Sequence, residues 1–245
     1  MTLAPARIAR SSASGDSVAG PMVATIFVRL VIPAYLAGVE LIMVRHALPE
    51  RKELADGIAD PGLTAEGHRQ AELLAAYLST ERIDAVYTSP LARALQTAAP
   101  LETALGVTAS VVDDVAEFDR NSSEYIPIEQ LKAEGDPRFY DLTSEAWAGN
   151  DPRDEFEHRV TIAVDGLIEA HPGETIAVIC HGGVINLVLA AVLGIDTEGP
   201  GFFYPNYTSI HRVAASRSGV RSVVTMNETA HLRNTGLPMG IFQKG

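Results

Sequence analysis

Four places in this chain hold side chains able to act on an anion. The apolar run "LIMV" stops at Arg45-His46, and "TSPLARALQTA" sets Arg93 four residues beyond Ser89. Glu117 stands in "VAEFDR", and His181-Gly182-Gly183 follows the run "AVIC". Two guanidiniums and two imidazoles can make a positive pocket, and here it must be a local one, because 19 Lys and Arg face 31 Asp and Glu for a net charge of −12. That balance argues against binding nucleic acid non-specifically or lying on an anionic membrane, both of which need a basic surface. Taken singly, each residue has a plainer explanation. A strand-end histidine is commonly a hydrogen-bonded structural residue, and a helical arginine commonly pairs with a surface acid such as Glu102. Glu117 competes with Asp113, Asp114, Asp119 and Glu124 in a crowded acidic stretch. A metal held by His46, His181 and acids is conceivable, but no tight ligand motif supports it, so no metal and no cofactor is expected.

The elements that must position these residues alternate. "VELIMV" reads as a strand, and "TAEGHRQAELLAAYLSTE" as a helix capped by Thr64 with Ala71, Leu74, Ala75 and Leu78 near one face. "IDAVYTSP" is a second strand, and "LARALQTAAPLETAL" a helix closed by Gly106. "TASVVDDVAEF" gives a third strand that Asp113 and Asp114 shorten or push to an edge. A helix near residues 155–170 leads to the strand "ETIAVICHGG" and the helix "VINLVLAAVLG". The alternation in "SIHRVAASRSGVRSVVTMN" around Ser218-Gly219 signals a hairpin. At 245 residues and 47% hydrophobic content, one α/β domain is preferred to two small ones. Its architecture is a three-layer α/β/α sandwich, a mostly parallel sheet with an antiparallel edge hairpin. In such sheets ligands bind beyond the carboxyl ends of the strands, which is where all four candidates fall.

Together the motifs resemble the histidine phosphatase superfamily, the phosphoglycerate mutase-like family, over about residues 39–235. The family's Arg-His-Gly appears as Arg45-His46-Ala47, its Ser-x-x-x-Arg-Ala-x-Gln-Thr-Ala as Ser89, Arg93, Ala94, Gln96, Thr97 and Ala98, and its late His-Gly-Gly as His181, Gly182 and Gly183. "LTAEGHRQA" is similar to the family's helix after the first loop. The resemblance implies a metal-independent phosphatase acting on a small phosphorylated substrate through a phosphohistidine on His46. Nearby guanidiniums would keep that imidazole neutral and nucleophilic. Arg45, Arg93 and His181, the last protonated or donating a hydrogen bond, would clamp the phosphoryl oxygens, with the N–H groups of Gly182 and Gly183 assisting at a helix start. Glu117 is the implied proton donor to the leaving group, with Asp119 or Asp114 as alternatives.

Two departures from the family pattern stand out. Ala47 replaces a glycine, and the family's Thr and Asn after Arg-His-Gly are absent from "ALPERKELADG", which favours a phosphatase over a mutase. A mutase-type phosphotransferase and a silent phosphate-binding scaffold remain the alternatives. Residues 1–38 are read as an N-terminal extension, since Arg29 and Pro33 interrupt their apolar run, and residues 236–245 as a C-terminal tail. An insertion at about 119–154 can be a lid using Arg120, Arg138 or its aromatics, or an ordinary helical excursion. Tyr207, Ser209 and His231 are read as structural hydrogen-bonding residues. The single Cys180 fits a cytoplasmic location, and a homodimer is left open.

Overall fold

The structure, a computed structural model, describes residues 38–139, 151–196 and 201–241. All of these belong to a unit spanning residues 36–245. In chain order its strands are β1 (Val39–Arg45), β2 (Lys52–Glu53), β3 (Ala85–Thr88), β4 (Ser110–Val111), β5 (Glu124–Tyr125), β6 (Thr175–Cys180), β7 (Ile210–Ala215) and β8 (Arg221–Glu228). Its helices are α1 (Ala65–Leu78), α2 (Ala92–Leu105), α3 (Ile128–Glu134), α4 (Arg153–Ala170) and α5 (Gly182–Leu193).

Six strands form the main sheet in the order β4-β3-β6-β1-β7-β8. The first four are parallel, and β7 and β8 close one side as an antiparallel hairpin. β1 and β6 are central and covered on both faces, which explains their unbroken apolar sequences. Side chains alternate between the faces. Val39, Leu41 and Met43 join Ile176, Val178 and Cys180 beneath α4 and α5. Ile42 and Val44 join Ala177 and Ile179 beneath α1 and α2.

The helices follow their sequence signals. Thr64 Oγ1 accepts the Gly67 N–H at 3.0 Å to cap α1, whose Ala71, Leu74, Ala75 and Leu78 are buried. Gly106 closes α2 with φ +68°, the left-handed turn that glycine adopts at least cost. The third strand shrinks to β4 at the sheet edge, because Asp113–Val115 turn into a 3-10 helix instead of extending. Past residue 235 the chain still packs on the domain: Met239 is buried and its carbonyl accepts the Tyr207 N–H at 2.8 Å. The expected extension over residues 1–38 lies outside the described residues, apart from Gly38. No helix among the described residues is long and apolar enough to cross a membrane.

Candidate active site

Three parallel strands end level with one another, and backbone hydrogen bonds carry the register past their ends. The His46 N–H donates to the Cys180 carbonyl at 2.9 Å, and the Ser89 N–H to the Ile179 carbonyl at 3.0 Å. This sets Arg45-His46, Ser89 and His181 side by side although they lie far apart in sequence. Arg93 follows in the first turn of α2. No side chain of the α2 N-cap, Leu91, bonds to the helix, and the cap comes from Asp60, whose carboxylate accepts the Ala92 N–H at 2.9 and 3.0 Å. Arg45, His46, Arg93, Glu117 and His181 are all at most 8% exposed, and the His46 and His181 rings lie 5.2 Å apart with Glu117 on the Gly183 amide. The structure brings all five together.

The conserved-looking spacing around Arg93 now has a physical reading. Thr97 Oγ1 accepts the Ala47 N–H at 2.9 Å and donates to the Arg93 carbonyl at 2.6 Å, tying the loop after His46 to α2. Gln96 accepts the Leu63 N–H at 2.7 Å, and Ala94 and Ala98 are small enough to pack α2 against the sheet. Ala47 causes no strain. The described non-glycine residues with positive φ are Thr208, Asn227 and Asn234. Its methyl group instead packs with Leu63 and Ala71.

Hydrogen bonding fixes the tautomer of His46 and constrains that of His181. His46 Nδ1 lies 2.8 Å from the Ala47 carbonyl, which can only accept. Nδ1 therefore carries the proton, and Nε2 presents its lone pair. Burial, then Arg93 and Arg45, holds the His46 pKa well below its ordinary value, so the ring is neutral. His181 Nε2 lies 2.7 Å from Ser89 Oγ, and that hydroxyl also receives the Leu91 N–H at 3.3 Å. With the Leu91 amide on one lone pair, Ser89 is able to give its own proton to Nε2, the tautomer that places the His181 proton on Nδ1. Burial, then Arg93, His46 and Arg45, likewise keeps His181 neutral. Of the two expectations for His181, the lowered pKa favours the neutral hydrogen-bond donor over the protonated ring. Ser89→Ala would let the ring take either tautomer, and we expect kcat to fall by about 10- to 100-fold with KM little changed, measured by steady-state phosphate release.

Three buried nitrogens in this space have no partner: Arg45 Nε, Arg93 Nε and His181 Nδ1. A buried donor left unpaired costs about 1–3 kcal/mol. Three converging beside a neutral imidazole describe a place for an anion with several acceptor oxygens.

Glu117 sits opposite, accepting the Gly183 N–H at 2.8 Å and the Phe118 N–H at 3.1 Å. A Cβ on Gly183 would collide with that carboxylate, so glycine here permits the approach. The expected use of the Gly183 N–H for the anion is accordingly not met, because Glu117 takes it, whereas Gly182 lies beside Arg45 Nε. Burial and the neighbouring Asp119 raise the Glu117 pKa to about 7. Asp119, the alternative donor, is instead ion-paired with Arg93 at 2.9 Å. Arg159 on α4 donates to the carbonyls of Asp114, Ala116 and Glu117 at 2.8, 2.7 and 3.1 Å, anchoring the turn that carries Glu117.

Two tyrosines complete the enclosure. Tyr207 places its ring 4.2 Å from the Arg45 guanidinium carbon and 5.9 Å from the His46 ring. Tyr125 stacks on Arg93 at 4.5 Å and meets His46 edge-on at 6.5 Å. Tyr207 does make a hydrogen bond, to Glu129 at 2.9 Å, but its ring also forms the wall of the site. Tyr125 arrives from the 119–154 segment because β5 pairs with β2. The cations of that segment are engaged elsewhere, Arg120 with Asp151 and Arg138 with Asp136 and Glu124. Ser209 and His231 fill the structural roles expected of them, bonding His211 at 2.8 Å and Thr208 at 2.9 Å. Tyr140 and Trp147 lie outside the described residues.

The sequence model of the histidine phosphatase superfamily (branch 1) matches residues 41–229, most of the chain and every residue of this cluster. The chain belongs to the histidine phosphatase superfamily. It is 29% identical over 208 residues to Phosphoserine phosphatase 1 of Hydrogenobacter thermophilus, covering 79% of this chain and 94% of that protein. It is also 31% identical over 202 residues to a bifunctional protein of Mycobacterium tuberculosis, which covers 78% of this chain and about half, 54%, of that relative. In fold it resembles the mycobacterial glucosyl-3-phosphoglycerate phosphatase, with a TM-score of 0.63 at 19% identity over 78% of this chain and 100% of that one. This histidine phosphatase is a phosphoric monoester hydrolase on a phosphoglycerate mutase-like α/β fold.

Proposed function

We propose that the enzyme hydrolyses small phosphomonoesters with His46 Nε2 as nucleophile, Arg45, Arg93 and His181 as the phosphoryl clamp, and Glu117 as proton donor. One observation carries this assignment: the unpaired Arg45 Nε, Arg93 Nε and His181 Nδ1 surround a neutral His46 whose Nδ1–H is already committed to a carbonyl. In the first step Nε2 attacks phosphorus. The phosphorus–oxygen bond to the leaving group breaks, and that oxygen takes the proton of Glu117. In the second step the resulting carboxylate removes a proton from water, which attacks the phosphohistidine, and His46 leaves as neutral imidazole. Charge on the transferring group is met by the guanidiniums and by the His181 N–H. The raised pKa of Glu117 supports its role, because near neutral pH the group can hold a proton for the first step and accept one in the second.

No step in this sequence calls on a metal. Among the described residues no group of three or more His, Cys, Asp or Glu side chains is arranged to hold one. The test is phosphate release from p-nitrophenyl phosphate in excess EDTA, with rates expected to match those without chelator. Activity lost in EDTA and restored by a divalent cation would overturn the assignment. A cytoplasmic setting belongs to the same reading and is compatible with the single cysteine, Cys180, which has no partner for an internal disulfide. Cell fractionation checks it.

A further inference from the structure

Charge at the site restricts what the leaving group can carry. Arg45 and Arg93 are the two guanidiniums at the anion site, Arg93 with a carboxylate beside it and Arg45 packed on a tyrosine whose hydroxyl is bonded to one. Asp119 pairs with Arg93 at 2.9 Å. Glu129 accepts the Tyr207 hydroxyl at 2.9 and 3.2 Å, and Tyr207 carries Arg45 on its ring. A phosphoryl dianion beside Arg45, Arg93 and Asp119 leaves that group net negative, with the Tyr125 and Tyr207 rings against the guanidiniums and Glu129 bonded to the Tyr207 hydroxyl.

Several cations of the described loops are already engaged. Arg51 is held by Glu53 and Glu134, Arg120 by Asp151, and Arg138 by Asp136 and Glu124. Lys52 donates to the Asp60 carbonyl at 3.2 Å, and Arg159 to Asp151 and the carbonyls of the Glu117 turn. A carboxylate on the leaving group would meet acids and phenols. An ammonium there would meet carboxylates and aromatic rings, the surroundings that stabilise a cation.

We propose that the preferred substrates are phosphomonoesters of amino alcohols lacking a carboxylate, and that Glu129, beside Tyr207, is the residue that recognises the ammonium group. This rests on the phosphatase reading above and sharpens it to a substrate class. It also separates this chain from the relatives named above, since phosphoserine and a phosphoglycerate both bear a carboxylate.

The test compares kcat/KM for phosphoethanolamine, glycerol 3-phosphate, phosphoserine and 3-phosphoglycerate, using the full chain at one ionic strength and p-nitrophenyl phosphate as the reference for catalysis. Phosphoethanolamine is expected to exceed 3-phosphoglycerate by at least about tenfold, the scale of one close charge interaction near a protein surface, with the neutral ester between them. In Glu129→Gln, which keeps an oxygen for Tyr207 but loses the charge, that ratio should shrink at least about fivefold. Tyr207→Phe keeps the charge and should keep the order of preference, whereas a purely structural Glu129–Tyr207 contact would make the two variants behave alike. The wild-type ranking needs no variant: 3-phosphoglycerate equal to or better than phosphoethanolamine overturns the proposal. A ratio unmoved in Glu129→Gln overturns the role of Glu129. Hydrolysis of p-nitrophenyl phosphate with the wrong ranking would leave the catalytic assignment standing, and no hydrolysis of any ester would end both.

Discussion

His46→Ala is expected to abolish turnover, with kcat lowered by about 10⁴-fold or more, the scale on which loss of a catalytic nucleophile acts. The reason lies in the site's division of labour. The guanidiniums and His181 can still bind and polarise the phosphoryl group, but no other described side chain there presents a lone pair in the place of Nε2. Glu117 is engaged with two backbone N–H groups, and Ser89 is committed to His181. Two measurements check the result. Rates with p-nitrophenyl phosphate should vanish, and rapid quenching of the wild type with labelled substrate should trap a phosphoenzyme that is stable in alkali, labile in acid and absent from the variant. A His46→Ala protein within tenfold of the wild type would move the nucleophile elsewhere.

Glu117→Gln is expected to split substrates by leaving group. An alkyl phosphate departs as a strongly basic alkoxide and needs the proton, so its kcat should fall by about 10²–10⁴-fold. p-Nitrophenolate leaves without one, and its phosphorylation step should be nearly unaffected in a single-turnover burst. Steady-state rates with the aryl ester would still slow if water activation becomes limiting. The pH profile gives a second readout. With the Glu117 pKa raised to about 7, the protonated, donating form predominates below that pH, and kcat/KM for an alkyl ester should fall as pH rises through it. His46 adds no acidic limb near pH 6.5, because its pKa is held well below that value. Both signs reverse the profile of a site relying on an ordinary carboxylate base and a freely titrating histidine. Equal losses in the single-turnover phosphorylation step on both esters, or an alkaline limb surviving in Glu117→Gln, would reject Glu117 as the donor.

The strand-end chemistry was legible because of where the apolar runs stop. β1 and β6 are buried on both faces, so their sequences are unbroken until Arg45 and His181, and the break marks the ligand end of the sheet. Glu117 was legible only through the family motif, since the acids around it share one composition and no periodicity separates them. Tyr125 was legible only as one aromatic of the 119–154 segment, and Tyr207 reads as structural although it borders the site. Tyr125 is brought in by a two-residue pairing of β5 with β2, too short for any alternation to show. Tyr207 precedes Thr208, held at φ +52°, a left-handed residue that sequence statistics do not expect of a β-branched side chain. Asp60 and Arg159 act on segments remote in sequence, Asp60 capping α2 and Arg159 holding the turn that carries Glu117. Spacing carries no trace of such contacts.

The position of β6 also governs when the enzyme can first work during its own synthesis. β6 lies between β1 and β3 in the sheet but is made after both, and the two do not pair with each other. A growing chain that has reached the end of α4 holds His46 beyond β1 and Arg93 on the helix after β3, with the strand that lies between β1 and β3 missing. His181, the ladder partners of His46 and Ser89, and the Gly183 amide that holds Glu117 all arrive with the next stretch of chain. Catalysis therefore switches on only after β6 inserts, and a ribosome-bound chain shorter than that has no phosphatase to release.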